Sequence, residues 1–141
     1  MIANDRPFVI AKGRESGAAA QSGGVSLMTE VGPKLTPATK LWFGKASNPP
    51  AFRSSPHHHR EAETGAYWLS GRARIDFGKD YQEFVDMAGG DFMFLPPFPP
   101  HLEANMSATE ELPRLACRTP ENFVVNSADI EDAALAGYRR A

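Results

Sequence analysis

The sequence predicts an all-β fold, with short strands that close into a single sandwich or barrel. The chain has 141 residues, the length of one ordinary domain. Its 12 glycines and 12 prolines make up about 17% of the chain, above the usual share of about 12% for these two residue types together. This excess indicates many tight turns. Short apolar runs also alternate with turn residues at near-regular spacing, a pattern typical of sandwiches and barrels.

The strands are predicted from short β-forming runs bounded by glycine, proline and other turn residues. Residues 1–24 are predicted to be an N-terminal arm or loop, because residues 12–24 are small, polar and glycine-rich. Residues 25–126 are predicted to form the barrel. Its predicted strands are Val25–Val31, Lys40–Phe43, His57–His59, Ala66–Leu69, Arg72–Phe77, Tyr81–Met87, Phe92–Leu95, Leu112–Arg118 and Phe123–Val125.

The tail, residues 127–141, is predicted to be a short C-terminal helix over Asp129–Arg140. Asp129 can cap its first turn, and Arg139 and Arg140 suit its C-terminal end. The apolar residues that would share one face are Ile130, Ala133, Ala134 and Leu135.

Composition narrows the classes of partner and compartment. Seventeen acidic and fifteen basic residues give a net charge of −2, and no basic stripe stands out, so no nucleic-acid partner is expected. No apolar run approaches the ~18 residues of a membrane span. The single cysteine, Cys117, cannot form an internal disulfide, and the N-terminus lacks the apolar core of a signal peptide. We therefore expect a cytoplasmic protein with no membrane partner.

The triplet His57-His58-His59 carries the strongest indication of function. Residues i and i+2 of a strand point to the same face, roughly 6.5–7 Å apart, so His57 and His59 project together while His58 projects the other way. Imidazole is the commonest metal ligand in proteins. We predict His57 and His59 as metal ligands and His58 as a residue outside the ligand set; an ordinary surface histidine cluster is the alternative.

Glu63 and His101 are predicted to complete the metal site. The connection Arg60–Ala62 can return the chain so that Glu63 faces the two histidines, whereas Glu61 is interpreted as a solvated loop residue. His101 follows a proline-rich corner at residues 96–100, and prolines stiffen the backbone that would hold a ligand. Three imidazoles and one carboxylate suit Fe, Mn, Ni, Cu or Zn.

Two segments of the chain, residues 56–71 and 90–105, resemble the two sequence motifs of the cupin superfamily. The positions that match the first motif are His57, His59, Glu63 and Gly71. The positions that match the second motif are Gly90, Pro96, His101 and Asn105. The resemblance covers roughly residues 40–126 and implies a single-domain jelly-roll β-barrel with one divalent transition metal inside it, iron being favoured.

The sequence departs from the cupin motifs at three places. Seven residues, rather than six, separate Glu63 from Gly71. If the strand register shifts there, Thr64 takes the ligand place and the site becomes three histidines plus water. Phe98 stands at the expected glycine of the Pro-x-Gly turn before His101, and Ala51 stands at the opening glycine of the first motif.

The resemblance implies a small-molecule metalloenzyme, and three functions stay open. The favoured one is a dioxygenase acting on an apolar or aromatic enol, diketone or catechol, since aromatic residues are plentiful. A redox-neutral cyclase, isomerase or lyase is the alternative. A non-catalytic ligand-binding cupin is the third. Arg72, Arg74 and Arg118 are candidate anchors for an acidic group, although a strand arginine more often faces solvent.

The resemblance also implies a homodimer. Cupins of this size usually pair by strand exchange, which Val25–Val31 could mediate; the alternative is that this segment completes its own barrel.

Overall fold

The computed structural model of the protein describes residues 6–15 and 24–126, and these residues form a layered β-structure. Its strands are β1 (Ser26–Val31), β2 (Trp42–Asn48), β3 (His57–His58), β4 (Glu63–Trp68), β5 (Arg72–Phe77), β6 (Glu83–Ala88), β7 (Phe92–Leu95), β8 (Leu102–Asn105), β9 (Leu112–Thr119) and β10 (Val125–Asn126). One 3-10 turn, Lys79–Tyr81, lies between β5 and β6. No helix in the described part of the chain is long and apolar enough to cross a bilayer.

The strands form two main antiparallel sheets and one small ribbon. The larger sheet has the order β1-β2-β9-β4-β7, and the smaller has the order β6-β5-β8. The ribbon pairs β10 with β3. Because strands distant in sequence lie side by side, as β2 and β9 do, the architecture is a jelly roll. The predicted all-β jelly-roll class is therefore confirmed.

The core lies between the two sheets and follows the alternation of side chains along each strand. One cluster packs Trp42, Leu27 and Ala116 together from the larger sheet. A second packs Trp68 and Leu112 against Ala73, Ile75 and Met87 of the smaller sheet. Trp42 and Trp68 are fully buried, and each such aromatic side chain removes a large apolar area from water.

The structure corrects several predicted strand bounds. The second strand begins at Trp42 and runs to Asn48, well past the predicted end at Phe43, because it pairs with β9 over its whole length. The strand predicted from Tyr81 begins at Glu83, since the chain turns at residues 79–81 first. The strand predicted from Ala66 begins at Glu63, and this earlier start matters for the site. The predicted helix Asp129–Arg140 lies outside the described residues.

The outer face of the larger sheet is more apolar than expected for a solvated surface. Phe92 and Phe94 of β7 are 80% and 63% exposed, and they stand opposite Tyr67 and Gly65 of β4. A groove of about 450 Å³ runs along this face.

Strand β1 pairs with β2 of its own chain at the edge of the larger sheet. This pairing matches the alternative in which the segment completes its own barrel, and the homodimer stays a prediction.

Candidate metal centre

His57, His59 and His101 are brought together by main-chain pairing of two distant segments. His57 and His101 stand opposite each other in a bridge and exchange backbone hydrogen bonds of 3.1 and 2.9 Å. The proline-rich corner is tied down as well, since the Phe98 N–H donates to the Arg60 carbonyl at 2.7 Å. The motif that carries His57 and the motif that carries His101 thus meet at one point.

The three imidazoles form a buried triangle. Their ring centroids lie 5.1 Å apart for His57 and His59, 4.4 Å for His57 and His101, and 5.2 Å for His59 and His101. Each contributes one donor nitrogen, and the three donors all lie within 4.8 Å of one another. All three side chains are buried.

Main-chain carbonyls fix which nitrogen of each ring points inward. The Nδ1 atoms of His57, His59 and His101 contact the carbonyl oxygens of Ser55 at 2.9 Å, Phe123 at 2.7 Å and Pro99 at 3.4 Å, respectively. An N–H at Nδ1 can donate to these acceptors, which leaves Nε2 unprotonated. Metal-binding histidines commonly hold their second nitrogen in this way.

The electrostatics of the site keep the imidazoles neutral. Burial is the main cause that lowers the pKa of His57 and His59, and it lowers the pKa of His101 to about 3. Neighbouring cationic groups add to the effect at each ring, among them Arg118. A neutral imidazole has a lone pair for a metal at physiological pH, so the triad is chemically ready to coordinate.

The same burial predicts acid sensitivity of the metal-free protein. In the unfolded chain these imidazoles protonate near their ordinary pKa of 6.5, whereas in the folded protein they stay neutral far below it. The unfolded state therefore binds more protons, and the stability present above pH 6.5 is lost as the pH falls toward 3. Between pH 6.5 and 5 we expect a loss of up to about 2 kcal/mol from His101.

Urea unfolding of the metal-free protein at several pH values checks this expectation. The variant His101→Gln should show a shallower dependence of stability on pH than the natural chain. A stability that does not change between pH 6.5 and 5 would contradict the assignment of neutral buried rings.

The structure does not bring Glu63 into this cluster of three histidines, and its role as a ligand stays a prediction. Strand β4 begins at Glu63, whose side chain is exposed, and the next residue, Thr64, is buried. The extra residue before Gly71 has shifted the strand phase, so Thr64 faces the barrel interior in place of the carboxylate. His58 also lies outside the triad, and its Nδ1 accepts the Arg60 backbone N–H at 3.1 Å.

Two buried arginines, Arg114 and Arg118, border the site. Arg118 was one of the three candidate anchors for an acidic group predicted from the sequence, whereas Arg114 was not among them. Along β9 the even-numbered residues face inward, and both arginines occupy such positions. Their inward phase was hard to predict because Leu115 and Cys117 make the opposite face of β9 apolar too. The sequence signal for this inward phase was that the apolar residues Leu112 and Ala116 lie at the same alternate positions as the two arginines.

Arg114 is neutralised by a buried carboxylate. Its Nη2 lies 3.2 Å from a carboxylate oxygen of Glu103, its Nη1 donates to Asn48 Oδ1 at 2.9 Å, and its guanidinium lies 5.2 Å from the Trp68 ring centroid. Burial raises the pKa of Glu103, but Arg114 and the other neighbouring cations outweigh burial and hold that pKa below its ordinary value. Glu103 is therefore an ionised partner of Arg114.

Among the described residues, the hydrogen-bond partners of Arg118 are all neutral. Its Nε donates to Thr64 Oγ1 at 3.1 Å and its Nη1 to Asn122 Oδ1 at 3.0 Å. Its Nη2 lies 3.3 Å from His59 Nε2. Burial and the charge of Arg114 lower the pKa of Arg118 to about 10, which leaves the guanidinium charged at neutral pH.

Solved structures with the same arrangement of strands come from several bacterial proteins. The polyketide cyclase RemF from Streptomyces resistomycificus is 18% identical, with a TM-score of 0.64, and the match covers 98% of this chain and 92% of that one. An RmlC-like cupin from Shewanella frigidimarina is 14% identical, with a TM-score of 0.61 over 82% and 93% of the two chains. The chain has the cupin fold.

A further match extends over only part of a larger cupin. An S161A mutant of oxalate decarboxylase OxdC from Bacillus subtilis is 17% identical, with a TM-score of 0.66, covering 85% of this chain and 33% of that one. The chain thus spans about a third of that protein's length. No family model matches the chain, and no curated protein matches it.

The donor set of this site fits a divalent transition metal. Three neutral imidazole nitrogens, held in the interior by carbonyl acceptors, suit Zn, Cu, Fe or Ni. The structure therefore supports a divalent-metal site formed by three histidines; the identity of the metal and the ligand role of each residue stay predictions.

The interior is more polar than the aromatic content of the sequence predicted. Trp42 and Trp68 do face inward, but Phe92 and Phe94 face outward from β7, and Phe98 is exposed in the proline corner. Arg114, Arg118 and Glu103 are inside instead. This placement gives the interior three charged side chains beside the aromatic ones.

Proposed function

We propose that this cupin is a metalloenzyme that activates an anionic, enolate-forming small molecule without oxidising it. The observation that carries the proposal is the ligand set itself: three neutral histidines with no carboxylate among them. Neutral ligands leave the full double charge of a divalent ion available to the substrate. Such an ion, when bound, would supply Lewis acidity to a carbonyl oxygen.

The surrounding residues add positive charge to the same interior. Arg114 and Glu103 neutralise each other, so Arg118 remains as an additional buried cation beside His59. A guanidinium held close to the reacting group stabilises the negative charge of an enolate, and it needs no reorganisation when that charge develops. Thr64 holds the Nε end of Arg118 in place through its hydroxyl group.

The likeness to RemF supports the redox-neutral form of this proposal. That match covers nearly the whole of both chains, so the two chains are similar in length as well as in fold. RemF is a polyketide cyclase, and ring closure of a polyketide needs an enolate as the carbon nucleophile. We propose that the substrate is a 1,3-diketone or β-keto acid that can form such an enolate.

A dioxygenase acting on the same class of substrate is the second candidate. The observation that favours it is the small number of protein ligands, since three histidines leave room for both a chelating substrate and oxygen on a redox-active ion such as Fe(II). Both candidates use the same residues and differ only in whether oxygen is consumed.

The test is elemental analysis of the purified protein, followed by turnover assays on a panel of 1,3-diketones and β-keto acids in an oxygen-electrode cell. We expect consumption of at least one substrate class without oxygen uptake. The variant His101→Gln should lose this activity and His58→Gln should keep it. Oxygen uptake in step with substrate loss would establish the dioxygenase instead, and a chain with no metal and no turnover would contradict both enzymes.

A further inference from the structure

Arg118 is a buried cation that lacks a carboxylate partner among the described residues. Only 6% of its surface is exposed, and its three hydrogen bonds go to a hydroxyl, an amide oxygen and an imidazole nitrogen. The buried carboxylate Glu103 is already paired with Arg114. Glu103 also stabilises the charge of Arg118 electrostatically, but no carboxylate of the described residues contacts the guanidinium. A buried charge without such a contact is costly, so this position favours the entry of an anion.

The guanidinium also has donors to spare. It carries five N–H bonds, and three of them are directed at Thr64, Asn122 and His59. Two N–H bonds, one on each terminal nitrogen, have no acceptor within the described ranges. Paired terminal N–H groups match the two oxygens of a carboxylate.

The contact between Arg118 and His59 sets up a competition. Nη2 of Arg118 points at Nε2 of His59 at 3.3 Å, and Nε2 is also the nitrogen that the ring offers to a metal, since its Nδ1 faces the Phe123 carbonyl. One lone pair serves either the guanidinium or an ion. Binding of a metal ion at Nε2 would therefore require Arg118 to leave His59, and the guanidinium would add a second positive charge near the ion.

We propose that Arg118 is an anion-binding residue that selects ligands carrying a carboxylate or enolate and couples their binding to that of the metal. An anionic oxygen bound to Arg118 replaces Nε2 of His59 as the acceptor of the guanidinium. The His59 imidazole is then free to bind the metal ion, and the anion screens the ion from the guanidinium. Anion and metal then raise each other's affinity by the same factor. This inference rests on the proposed function and names the chemistry of its substrate.

The test is calorimetric titration of the metal-free full-length protein with Zn²⁺, alone and in the presence of benzoate or of neutral benzamide. Corrections for the weak binding of benzoate to free Zn²⁺ come from a titration without protein. We expect benzoate to tighten Zn²⁺ binding at least fivefold, the lower end of usual coupling factors, and benzamide to leave it unchanged.

Three variants separate the role of Arg118 from a general effect of charge. Arg118→Met should bind Zn²⁺ alone more tightly than the natural chain and should lose the benzoate effect. Arg118→Lys should keep part of the effect and serves if the methionine variant fails to fold. Arg74→Met removes an equal charge from the surface pair with Asp86 and should keep the full effect.

The outcomes distinguish this proposal from the one on which it rests. Stoichiometric Zn²⁺ binding that benzoate does not strengthen overturns the role of Arg118 and leaves the metal centre standing. Coupling that persists in Arg118→Met overturns it as well. No Zn²⁺ binding with or without benzoate overturns the metal centre and, with it, the coupling.

Discussion

The variant His101→Ala is expected to lose its metal almost completely. The ring of His101 contributes one of three donor nitrogens, and its neighbour His57 lies 4.4 Å away between ring centroids. Two imidazoles cannot hold a divalent ion in competition with water and buffer as three can. We expect bound metal, measured by mass spectrometry on dialysed protein, to fall at least tenfold; His59→Ala should behave in the same way.

Two matched controls make this result specific. His58→Ala removes a histidine from the same triplet, and Glu63→Gln removes the carboxylate predicted from the cupin motif. Because His58 lies outside the triad and Glu63 is exposed, both variants should retain the metal content of the natural chain. Loss of metal from Glu63→Gln would restore the four-ligand site, and loss from His58→Ala would reverse the strand phase inferred for the triplet.

The variant Arg114→Met is expected to destabilise the fold by about 3–5 kcal/mol. It removes the partner of Glu103, a buried carboxylate that interacts electrostatically with His57, His101 and Arg118, and it leaves that carboxylate without its ion pair in the interior. Asn48 loses the donor to its Oδ1 as well. Urea unfolding followed by circular dichroism measures the change in the free energy of unfolding.

A double variant separates the ion pair from packing. Glu103→Gln combined with Arg114→Met removes both charges, and we expect it to be more stable than the single Arg114→Met variant. The surface pair of Arg74 and Asp86 provides the comparison, since exposed pairs contribute about 1 kcal/mol or less. If Arg114→Met costs no more than Arg74→Met, then the buried pair is not an important source of stability.

The fold was predictable because its signals are local. Turn residues at regular spacing and alternating side chains predicted most strands, and Arg72–Phe77 and Phe92–Leu95 agree with the structure residue for residue. Bounds were wrong where pairing partners extended a strand beyond its own apolar pattern, as at β2. No local pattern reveals that β9 will pair with β2 over seven residues.

Part of the site was also predictable from local patterns in the sequence. Alternation placed His57 and His59 on one side of the chain, and the motif spacing added His101. The position of Glu63 depended on the phase of β4, and one additional residue before Gly71 turned the carboxylate outward and Thr64 inward. The roles of Arg114 and Arg118 depended on which face of β9 is covered, a property set by the opposing sheet.

The carbonyl acceptors behind the three imidazoles have an evolutionary consequence. Ser55, Pro99 and Phe123 aim the rings through main-chain oxygens, and every amino acid carries such an oxygen. Replacement of their side chains need not misdirect the histidines as long as the backbone path is kept. These three positions can therefore change their side chains in evolution while the imidazoles keep their orientation.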